Sequence, residues 1–462
     1  MEKAQQAIVE GWQQGQLVEI AIADLSDTGE GVGRFQQRVV FVPDTVPGDQ
    51  ALIRLLHVKP QYAIGKLHQL LEPSPHRIRP HCIVADKCGG CQWQHIEYSY
   101  QLEAKRNQVI QALERIGGIT SPCVAKVISA GEPFNYRNKV TYPLGMSASG
   151  RIKAGYYRKG SHQLVNLNKC PVQDKRLNPL LAEIKLDIQQ QGWRVYDEKY
   201  HRGEVRHLSL RIARRTGEIL LTLVVKSGNL PGCEKQAQEW LQRYPQLVGV
   251  CININPARSN VIFGSETRCL AGRPYVREEF AGLMFQLGAD TFFQVNTEAA
   301  EALLQAIASQ LNLQGNELLI DAYCGIGTFT LPLARQVRLA IGLEVQAAAV
   351  ELAKQNAQAN NLTNVKFYAG KVEKLLPTTG ATADIVLLDP PRKGCELTVL
   401  ETLLQTKPQR IVYISCKPAT LARDLKILCQ GGYKLLHVQP VDFFPQTSHV
   451  ECAAFLVADK DK

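Results

Sequence analysis

The sequence lacks any long apolar run. Nowhere do about 18 apolar residues follow one another, which is the length that a membrane-spanning helix requires. The first residues, MEKAQQAIVEGWQQGQ, also lack the apolar core and the small-residue cleavage site of a secretory signal. Internal repeats and low-complexity tracts are absent as well. We therefore expect a soluble, cytoplasmic protein that contacts no membrane.

The cysteine and charge content narrows the possible functions. Because secretory features are missing, the 13 cysteines of this 462-residue chain indicate metal binding, catalysis or burial in a core rather than a disulfide scaffold. The 53 Lys and Arg residues outnumber the 43 Asp and Glu residues, for a net charge of +10. This moderate positive balance favours a polyanionic partner such as nucleic acid.

Three segments of different character divide the chain. Short β-rich runs between Gln16 and Glu72, separated by glycine and proline turns, predict a small barrel over residues 1–74. The glycine-rich TGEGVGRF is interpreted as one of its turns. After a proline-rich linker, residues 75–285 combine a charged helix, YSYQLEAKRNQVIQALERIGG, with β-rich runs, which predicts a mixed α+β central domain. The third domain covers residues 286–462.

The third segment alternates apolar strands with amphipathic helices. The strands are predicted in ELLIDAYC, LAIGLEV, VKFYAG, DIVLLDPP and RIVYISC. This alternation is typical of an α/β domain with a parallel sheet that helices cover on both faces. Ligands of such sheets bind beyond the carboxyl ends of the strands, so residues at those ends are candidates for a functional site.

One such strand end carries a cysteine. In RIVYISCKPATLARDL, residues 410–425, Cys416 is predicted to lie on the turn between a buried strand and a helix. A cysteine of the hydrophobic core is the commoner interpretation of a single position. Residues at the neighbouring strand ends are therefore needed to distinguish a structural from a catalytic thiol.

A glycine turn follows the first strand of this domain. In DAYCGIGTFTLPLA, Gly325 and Gly327 allow a tight turn that brings the backbone near a ligand. A purely structural turn explains these glycines equally well. Glu344 follows Gly325 by 19 residues and ends the next strand, which suits a carboxylate that holds ribose hydroxyls. The short G-x-G pattern favours S-adenosylmethionine over a dinucleotide, because no pyrophosphate has to be held.

A third strand ends in LLDPPRKG. The two prolines stiffen the loop and are expected to hold Asp389 and Arg392 at the rim of the sheet. A rigid turn with a solvated Asp389 is the alternative. The glycine turn, the ribose acid and this motif fall on successive strand ends, which favours a ligand site.

Several motifs together resemble one enzyme family. DPPRKG, ISCKPATLARDL, FFQVN and SHVECAAFL look like the RNA (uracil-5-)-methyltransferase family, and DAYCGIGTFTL is similar to its cofactor turn. The resemblance covers the whole chain, because the amino-terminal barrel resembles a TRAM domain, an OB-like RNA-binding module. It implies a Rossmann-like, class I S-adenosylmethionine methyltransferase domain.

The resemblance also implies roles for individual residues. Gln294 of FFQVN, Tyr323 of DAYCG, Glu344 and Asp389 would contact S-adenosylmethionine. This chain departs from many members at Thr328, where they have Asn. A polar cofactor contact at that position is not expected here.

Methylation at carbon 5 of uracil needs a nucleophile and a base. Addition of a thiolate to carbon 6 turns the ring into an enolate. Cys416 is predicted to supply this thiolate, and the following helix and Lys417 are expected to favour the ionised form of its thiol. The resemblance implies that Glu451 of SHVECAAF then removes the carbon-5 proton. A salt-bridged acid on an edge strand is the alternative for Glu451.

A cysteine cluster lies near the start of the central segment. HCIVADKCGGCQWQH places Cys82, Cys88 and Cys91 in a C-x5-C-x2-C array, and Cys170, which is followed by proline, is the candidate for a fourth ligand. Four thiolates suit either zinc or an iron–sulfur cluster. The family resemblance implies a 4Fe–4S cluster, with a structural or RNA-ordering role.

Rival functions fit the motifs less well. Cytosine-5 enzymes place a second cysteine where this chain has DPPR, and amino-group methyltransferases place an aromatic residue at Arg392. Radical S-adenosylmethionine enzymes use C-x3-C-x2-C, and a non-catalytic RNA-binding protein would not need Cys416 and Glu451.

The predicted partner is RNA, bound by a monomer. The resemblance favours 23S ribosomal RNA as the target, with transfer RNA as the alternative. Arg137 and Lys139 in FNYRNKVTYP are candidates for an RNA-contacting surface, although a solvated face is equally possible.

Overall fold

A computed structural model describes residues 12–379 and 383–459. Residues 1–11, in which the sequence predicted no secretory signal, lie outside the described residues, as do 380–382 and 460–462. No helix in the two described ranges combines the length and the apolar character that a bilayer crossing requires.

The chain divides into two compact units. The barrel unit extends as far as Ala104 and includes the short return segment Gln446–His449. The main unit comprises Lys105–Pro445 and the chain from Val450 onward. The three-domain division at 1–74, 75–285 and 286–462 stays a prediction, because the two compact units meet at Ala104 in the sequence and the main unit is not divided further.

The barrel unit contains a closed five-stranded barrel of order β1-β2-β3-β5-β4. Its strands are β1 (Leu17–Leu25), β2 (Gly31–Phe35), β3 (Arg38–Val42), β4 (Gln50–Val58) and β5 (Tyr62–Glu72). Apolar residues alternate with polar ones, so that Val18, Ile20 and Ile22 point into the barrel and are buried. The predicted small barrel is confirmed.

Part of TGEGVGRF was wrongly predicted to be a turn. Gly31 to Phe35 form strand β2, which pairs with both β1 and β3. Gly33 is needed there for space, since a Cβ atom would lie 2.3 Å from Cγ2 of Ile20. The glycines therefore permit close strand packing inside the barrel rather than a change of chain direction.

The first half of the main unit is built on a six-stranded sheet. Its order is β11-β10-β9-β8-β6-β7, and β9 and β10 are its parallel pair. The predicted charged helix forms α1 and begins in the barrel unit. The elements are α1 (Tyr98–Arg115), β6 (Lys139–Met146), β7 (Ile152–Ala154), α2 (Asn178–Gln190), β8 (Val205–Ile212), β9 (Ile219–Val225), α3 (Cys233–Arg243), β10 (Leu247–Ile254) and β11 (Glu266–Gly272).

The second half is a seven-stranded α/β sheet preceded by a hairpin. The hairpin is β12 (Tyr275–Phe280) and β13 (Leu283–Gly288). There follow α4 (Thr297–Leu311), β14 (Leu318–Ala322), α5 (Thr330–Ala334), β15 (Leu339–Glu344), α6 (Ala347–Ala359), β16 (Val365–Ala369), α7 (Val372–Thr379), β17 (Ile385–Leu388), α8 (Leu397–Thr406), β18 (Arg410–Ser415), α9 (Pro418–Gln430), β19 (Tyr433–Val441) and β20 (Glu451–Ala458).

The order of this sheet is β16-β15-β14-β17-β18-β20-β19. The first five strands are parallel, and every residue of β14 and β17 is buried, as their predominantly apolar sequences predict. The predicted α/β fold is thereby confirmed. The strand order reverses between β14 and β17, and a crevice for a ligand opens at such a point in open α/β sheets.

The last two strands run antiparallel to their neighbours. β20 inserts between β18 and β19, and Ser415 pairs with Cys452 across β18 and β20. The beginning of β20 thus reaches the carboxyl end of β18. Residues far apart in the sequence, Cys416 and Glu451, meet at this edge of the sheet.

Candidate active site

The glycine turn after β14 lies against the acid that ends β15. Gly325 has a φ of 55°, in the left-handed region that glycine adopts without strain, and its N–H donates to Oε2 of Glu344 at 3.1 Å. The other oxygen, Oε1, accepts from the N–H of Gln346 at 2.8 Å. A carboxylate has about four acceptor positions, so these bonds orient Glu344 while leaving it capacity for hydroxyl donors.

Tyr323 adopts an unusual backbone conformation at the start of the same turn. Its φ is 74°, which costs a non-glycine residue about 1–2 kcal/mol. The N–H of Tyr323 donates to the carbonyl of Leu343 at 2.9 Å, which anchors it to β15. Burial and the neighbouring Cys395 raise the pKa of its hydroxyl. Such strain is concentrated at functional sites, which agrees with the predicted role of Tyr323.

Three acids cluster at the carboxyl ends of β14, β15 and β17. The pKa of Asp321 is raised to about 8, chiefly by burial and also by the charges of Asp389 and Glu344, while Thr330 donates its hydroxyl to Asp321. Burial raises the pKa of Asp389 to about 7. Mutual repulsion between these carboxylates would be relieved by a positively charged ligand.

The role of Asp321 was not predicted from the sequence. It was quoted there only as the first residue of the glycine motif. The sequence signal for a functional role of Asp321 is its position as an acid at the end of an otherwise apolar strand. Its buried carboxyl lies within electrostatic reach of two predicted cofactor residues, Glu344 and Asp389.

Gln294 lies on the loop before α4 and is buried. Its backbone carbonyl accepts from Nδ2 of Asn138 at 2.9 Å, and the same amide donates to Oγ1 of Thr297 at 3.0 Å. These bonds hold the FFQVN loop against the segment before β6. They do not link Gln294 to the three acids, so its predicted cofactor contact stays a prediction.

Cys416 and Glu451 are brought together by β18 and β20. They are the next residues beyond the Ser415–Cys452 pair, and residues opposite each other on antiparallel strands have Cβ atoms about 4.5–5.5 Å apart. Cys416 is half-buried, whereas Glu451 is buried. Cys416 lies before the amino terminus of α9, as the sequence predicted.

The electrostatic surroundings of these two groups differ from the sequence-based expectation. Burial raises the pKa of the Cys416 thiol, the carboxylates of Glu451 and Asp389 raise it further, and Arg392 is the cation that opposes them. Lys417 is exposed. Burial and the two carboxylates therefore act against ionisation of the thiol, which the following helix and Lys417 were expected to favour.

Glu451 has the properties of a proton acceptor that is poised near neutral pH. Its pKa is raised to about 8, chiefly by burial and also by the charge of Asp389, with Arg392 acting in the opposite direction. A carboxyl with an ordinary pKa would be a weak base in water, and burial strengthens it. The structural alternative, an acid in a salt bridge, is not observed for Glu451 in the described part of the chain.

A clamp on α9 holds the loop that carries Arg392. Asp424 is fully buried and accepts from the N–H of Cys395 at 2.9 Å and from the hydroxyl of Tyr413 at 2.5 Å. Arg423 donates to Asp424 at 2.7 Å and to the carbonyl of Lys393 at 3.0 Å. The sequence signal for this clamp was an acid on the apolar face of a helix, one residue before Leu425, and it was overlooked.

The other cysteines of this sheet are placed as structural residues. Cys324, Cys395 and Cys452 are buried, and burial raises the pKa of each thiol. Cys429 is half-buried on α9. The environments of Cys324, Cys395 and Cys452 favour the neutral thiol.

The predicted metal ligands are not arranged as a formed site. In the part of the chain that the structure describes, no three His, Cys, Asp or Glu side chains are grouped so that they could hold a metal ion. Cys82 and Cys91 are half-buried, Cys88 is buried, and Sγ of Cys88 accepts from the N–H of Gly90 at 3.4 Å. Cys170 belongs to the main unit and is buried.

Arg137 and Lys139 do not form an exposed RNA-contacting surface. Nε of Arg137 donates to the carbonyl of Lys139 at 3.1 Å, and Nζ of Lys139 donates to the carbonyl of Ala289 at 2.8 Å. The pKa of Lys139 is lowered to about 6, chiefly by burial and also by the nearby Arg211. Both side chains therefore stabilise their own chain.

Comparisons with known proteins identify the family of this chain. The model of the family tRNA (uracil-5-)-methyltransferase matches residues 97–459, and that of the TRAM domain matches residues 11–68. An uncharacterized RNA methyltransferase of Nostoc sp. strain PCC 7120 is 71% identical over 447 residues, which cover 96% of this chain and 97% of that protein. An uncharacterized RNA methyltransferase of Bacillus cereus strain ATCC 10987 is 39% identical over 447 residues, with 96% and 97% covered.

A solved structure is similar over nearly the whole chain. It is the Pyrococcus abyssi tRNA (uracil-54, C5)-methyltransferase in complex with S-adenosyl-L-homocysteine. Its TM-score is 0.78 at 29% sequence identity, and the match covers 95% of this chain and 100% of that chain.

Proposed function

This chain belongs to the tRNA (uracil-5-)-methyltransferase family, and from that premise we propose that it methylates carbon 5 of a uridine in RNA through a covalent adduct with Cys416. The observation that carries the proposal is the meeting of Cys416 and Glu451 at the carboxyl end of β18. A nucleophile and a base side by side are what addition and elimination at one ring require.

The acidic crevice fits S-adenosylmethionine, whose sulfonium supplies the methyl group as an electrophile. Glu344 would hold the ribose hydroxyls, because its carboxylate already lies against the glycine turn. The carboxylates of Asp321 and Asp389 would favour a cationic ligand at the strand ends. Tyr323 and Gln294 are proposed as further contacts of the cofactor.

The steps on the uracil ring follow from the two residues. The thiolate of Cys416 forms a bond with carbon 6, and the electron pair of the 5,6 double bond moves to carbon 5 as an enolate. Carbon 5 would form a bond with the methyl group of S-adenosylmethionine as the methyl–sulfonium bond breaks, and the neutral thioether would leave. Glu451 then removes the carbon-5 proton, the double bond returns, and the sulfur–carbon bond breaks to regenerate the thiolate. Arg392, near both groups, would favour the charged forms of each.

The target RNA has two candidates. The pairing of a TRAM domain with a cysteine cluster led to the prediction of 23S ribosomal RNA. Transfer RNA is favoured by the family model and by the similarity to the Pyrococcus abyssi enzyme, which acts on tRNA. Mapping 5-methyluridine in both RNAs from a deletion strain and from the complemented strain decides between them, because the methylated position disappears only from the true substrate.

We also propose that the C-x5-C-x2-C array binds a 4Fe–4S cluster. The spacing of Cys82, Cys88 and Cys91 carries this proposal, together with the N–H that points at Sγ of Cys88, as thiolate ligands commonly accept such bonds. Because the described residues do not form a metal site, no step of the reaction is assigned to the cluster. The role of Cys170 as fourth ligand stays a prediction.

Metal analysis of anaerobically purified protein tests the cluster. We expect a brown protein with about four irons per chain and a large loss of iron in Cys88→Ser and Cys170→Ser. Cys123→Ser, which changes an exposed cysteine outside the array, serves as the control. Stoichiometric zinc without iron would refute the iron–sulfur assignment.

Release of tritium from RNA that carries 5-tritiated uridine tests the proposed function directly. Release should depend on S-adenosylmethionine and match the methyl groups incorporated. A protein that binds RNA without catalysis would release none, and a radical enzyme would require reductant and cleave the cofactor. Methyl incorporation without tritium release would mean that another position is the target.

A further inference from the structure

A groove of the main unit, whose lining includes none of the candidate-site residues, carries three cations. It has a volume of about 540 Å³ and lies beside the loop that leads into β8. Arg194, Arg202 and Lys226 line it, and both arginines are exposed. Among the described residues, no carboxylate lies within salt-bridge distance of these three cations.

The one acid among the described lining residues is already engaged. The carboxylate of Glu204 accepts from the N–H groups of Ser227 and Gly228 at 2.6 and 2.7 Å, and from the hydroxyl of Ser227 at 3.0 Å. These bonds hold the turn after β9. The carboxylate thus stabilises a turn, and the groove keeps an excess of positive charge.

The loop beside the groove is held in one conformation. The side chain of Asp197 accepts from the N–H groups of Lys199 and Tyr200 at 2.9 and 3.2 Å, and its own N–H donates to the carbonyl of Arg202 at 2.7 Å. His201 has a φ of 52°, which is uncommon for a non-glycine residue. This closed loop presents Lys199 and Tyr200 at its tip.

The tip places a cation beside an open aromatic ring. Tyr200 is 60% exposed, and Nζ of Lys199 lies 5.0 Å from the centre of its ring. The pKa of His201 is lowered by partial burial and by the nearby Lys226, Arg258 and Arg206, which agrees with a positive local potential. Exposed aromatic rings next to cations are the usual elements of single-stranded nucleic acid sites.

We propose that this groove and its loop bind a single-stranded segment of the RNA substrate. Arg194, Arg202 and Lys226 would contact phosphates, and one base would stack on Tyr200. The contact would position the RNA rather than take part in the chemistry. The inference rests on the proposed function in one respect, namely that the RNA bound in the groove is the substrate of the enzyme.

Binding of a fluorescein-labelled single-stranded oligoribonucleotide of about 20 nucleotides, without S-adenosylmethionine, tests the groove. Arg194→Ala combined with Arg202→Ala should raise the Kd about tenfold or more and should reduce the slope of log K against log salt by about 1.4, as two lost phosphate contacts require. Arg202→Glu should weaken binding further than Arg202→Ala.

Stacking is tested at Tyr200. Tyr200→Ala should weaken RNA binding by about 5–150-fold with little change of the salt slope, whereas Tyr200→Phe should retain it. In methylation assays these variants should raise KM and leave kcat unchanged, because they do not touch the reacting atoms.

Lys235→Ala provides the matched control, since Lys235 is an exposed cation on α3 that pairs with Glu239. Unchanged affinity and salt slope in the folded double variant would overturn the proposal, as would binding of inorganic phosphate alone with no effect of the variants on RNA. If the groove variants lose RNA affinity but uridine is not methylated, the groove stands and the proposed function falls.

Discussion

Cys416 is the residue through which the proposed covalent intermediate with RNA would form. Cys416→Ala should abolish methyl transfer, because the β18–β20 register places the Cys416 thiol opposite Glu451, whereas the side chain of the adjacent Cys452 points to the other face of the sheet. The affinity for S-adenosylmethionine should be retained, since the acids that would hold it lie on other strands. Calorimetry of cofactor binding and a tritium-release assay measure the two quantities.

An adduct experiment supplies the control for Cys416. RNA that contains 5-fluorouridine has no proton to lose at carbon 5, so a denaturant-resistant complex should accumulate with S-adenosylmethionine. Cys452→Ala, which removes a neighbouring buried thiol, should still form the adduct. Turnover by Cys416→Ala would refute the nucleophile assignment.

Glu451 should control elimination. Glu451→Gln should lower turnover by about 10²–10⁴-fold and trap natural RNA as a methylated covalent complex, because the carbon-5 proton can no longer leave. The complex should vanish when Cys416 is also replaced. Loss of turnover with no trapped complex and a lower melting temperature would show that the acid supports the fold instead.

The raised pKa of Glu451 predicts the pH dependence. A base has to be deprotonated, so elimination should be slow below the pKa of about 8 and should rise with pH through that value. Ionisation of Cys416, whose pKa is also raised, acts in the same direction. Single-turnover rates between pH 6 and pH 9 measure this; a rate that falls as the pH rises through this range would contradict it.

The clamp on α9 is an element that supports the site from outside. Asp424→Asn weakens the bonds to Cys395, Tyr413 and Arg423 and should cost about 1–3 kcal/mol in the free energy of unfolding. Because the clamped loop carries Arg392, kcat should fall while cofactor affinity changes little. Thermal unfolding and steady-state kinetics measure both effects.

An exposed acid on the same loop gives the matched control for the clamp. Glu396 pairs with Lys393 at the surface, and Glu396→Gln should change stability by less than about 1 kcal/mol. An unchanged kcat in Asp424→Asn, together with the expected loss of stability, would restrict the clamp to a structural role.

For the molecule as a whole, the charge balance predicts a strong dependence of RNA binding on salt. The net charge of +10 favours a polyanion, and affinity for RNA should fall linearly with salt on a double-logarithmic scale. Binding of S-adenosylmethionine in the acidic crevice should change much less. Titrations of the two ligands at the same salt concentrations test this difference; equal salt dependence would contradict it.

Local pattern was sufficient for much of the molecule. The barrel strands, the charged helix and the parallel sheet follow from apolar periodicity, which depends only on neighbouring residues. The candidate positions of Cys416, Glu344 and Asp389 followed from strand ends, because parallel strands carry their carboxyl ends to one edge. Strand β2 was missed because its glycines resemble a turn unless the opposing strand is known.

The relations between distant segments depend on the tertiary structure. The insertion of β20 between β18 and β19 placed Glu451 beside Cys416, and no periodicity encodes which strands become neighbours. Burial then raised the pKa of both groups, although the adjacent Lys417 had suggested the opposite for the thiol. Burial and charge act through space. The sequence therefore determines which acidic and basic groups are present, and the fold determines their pKa values.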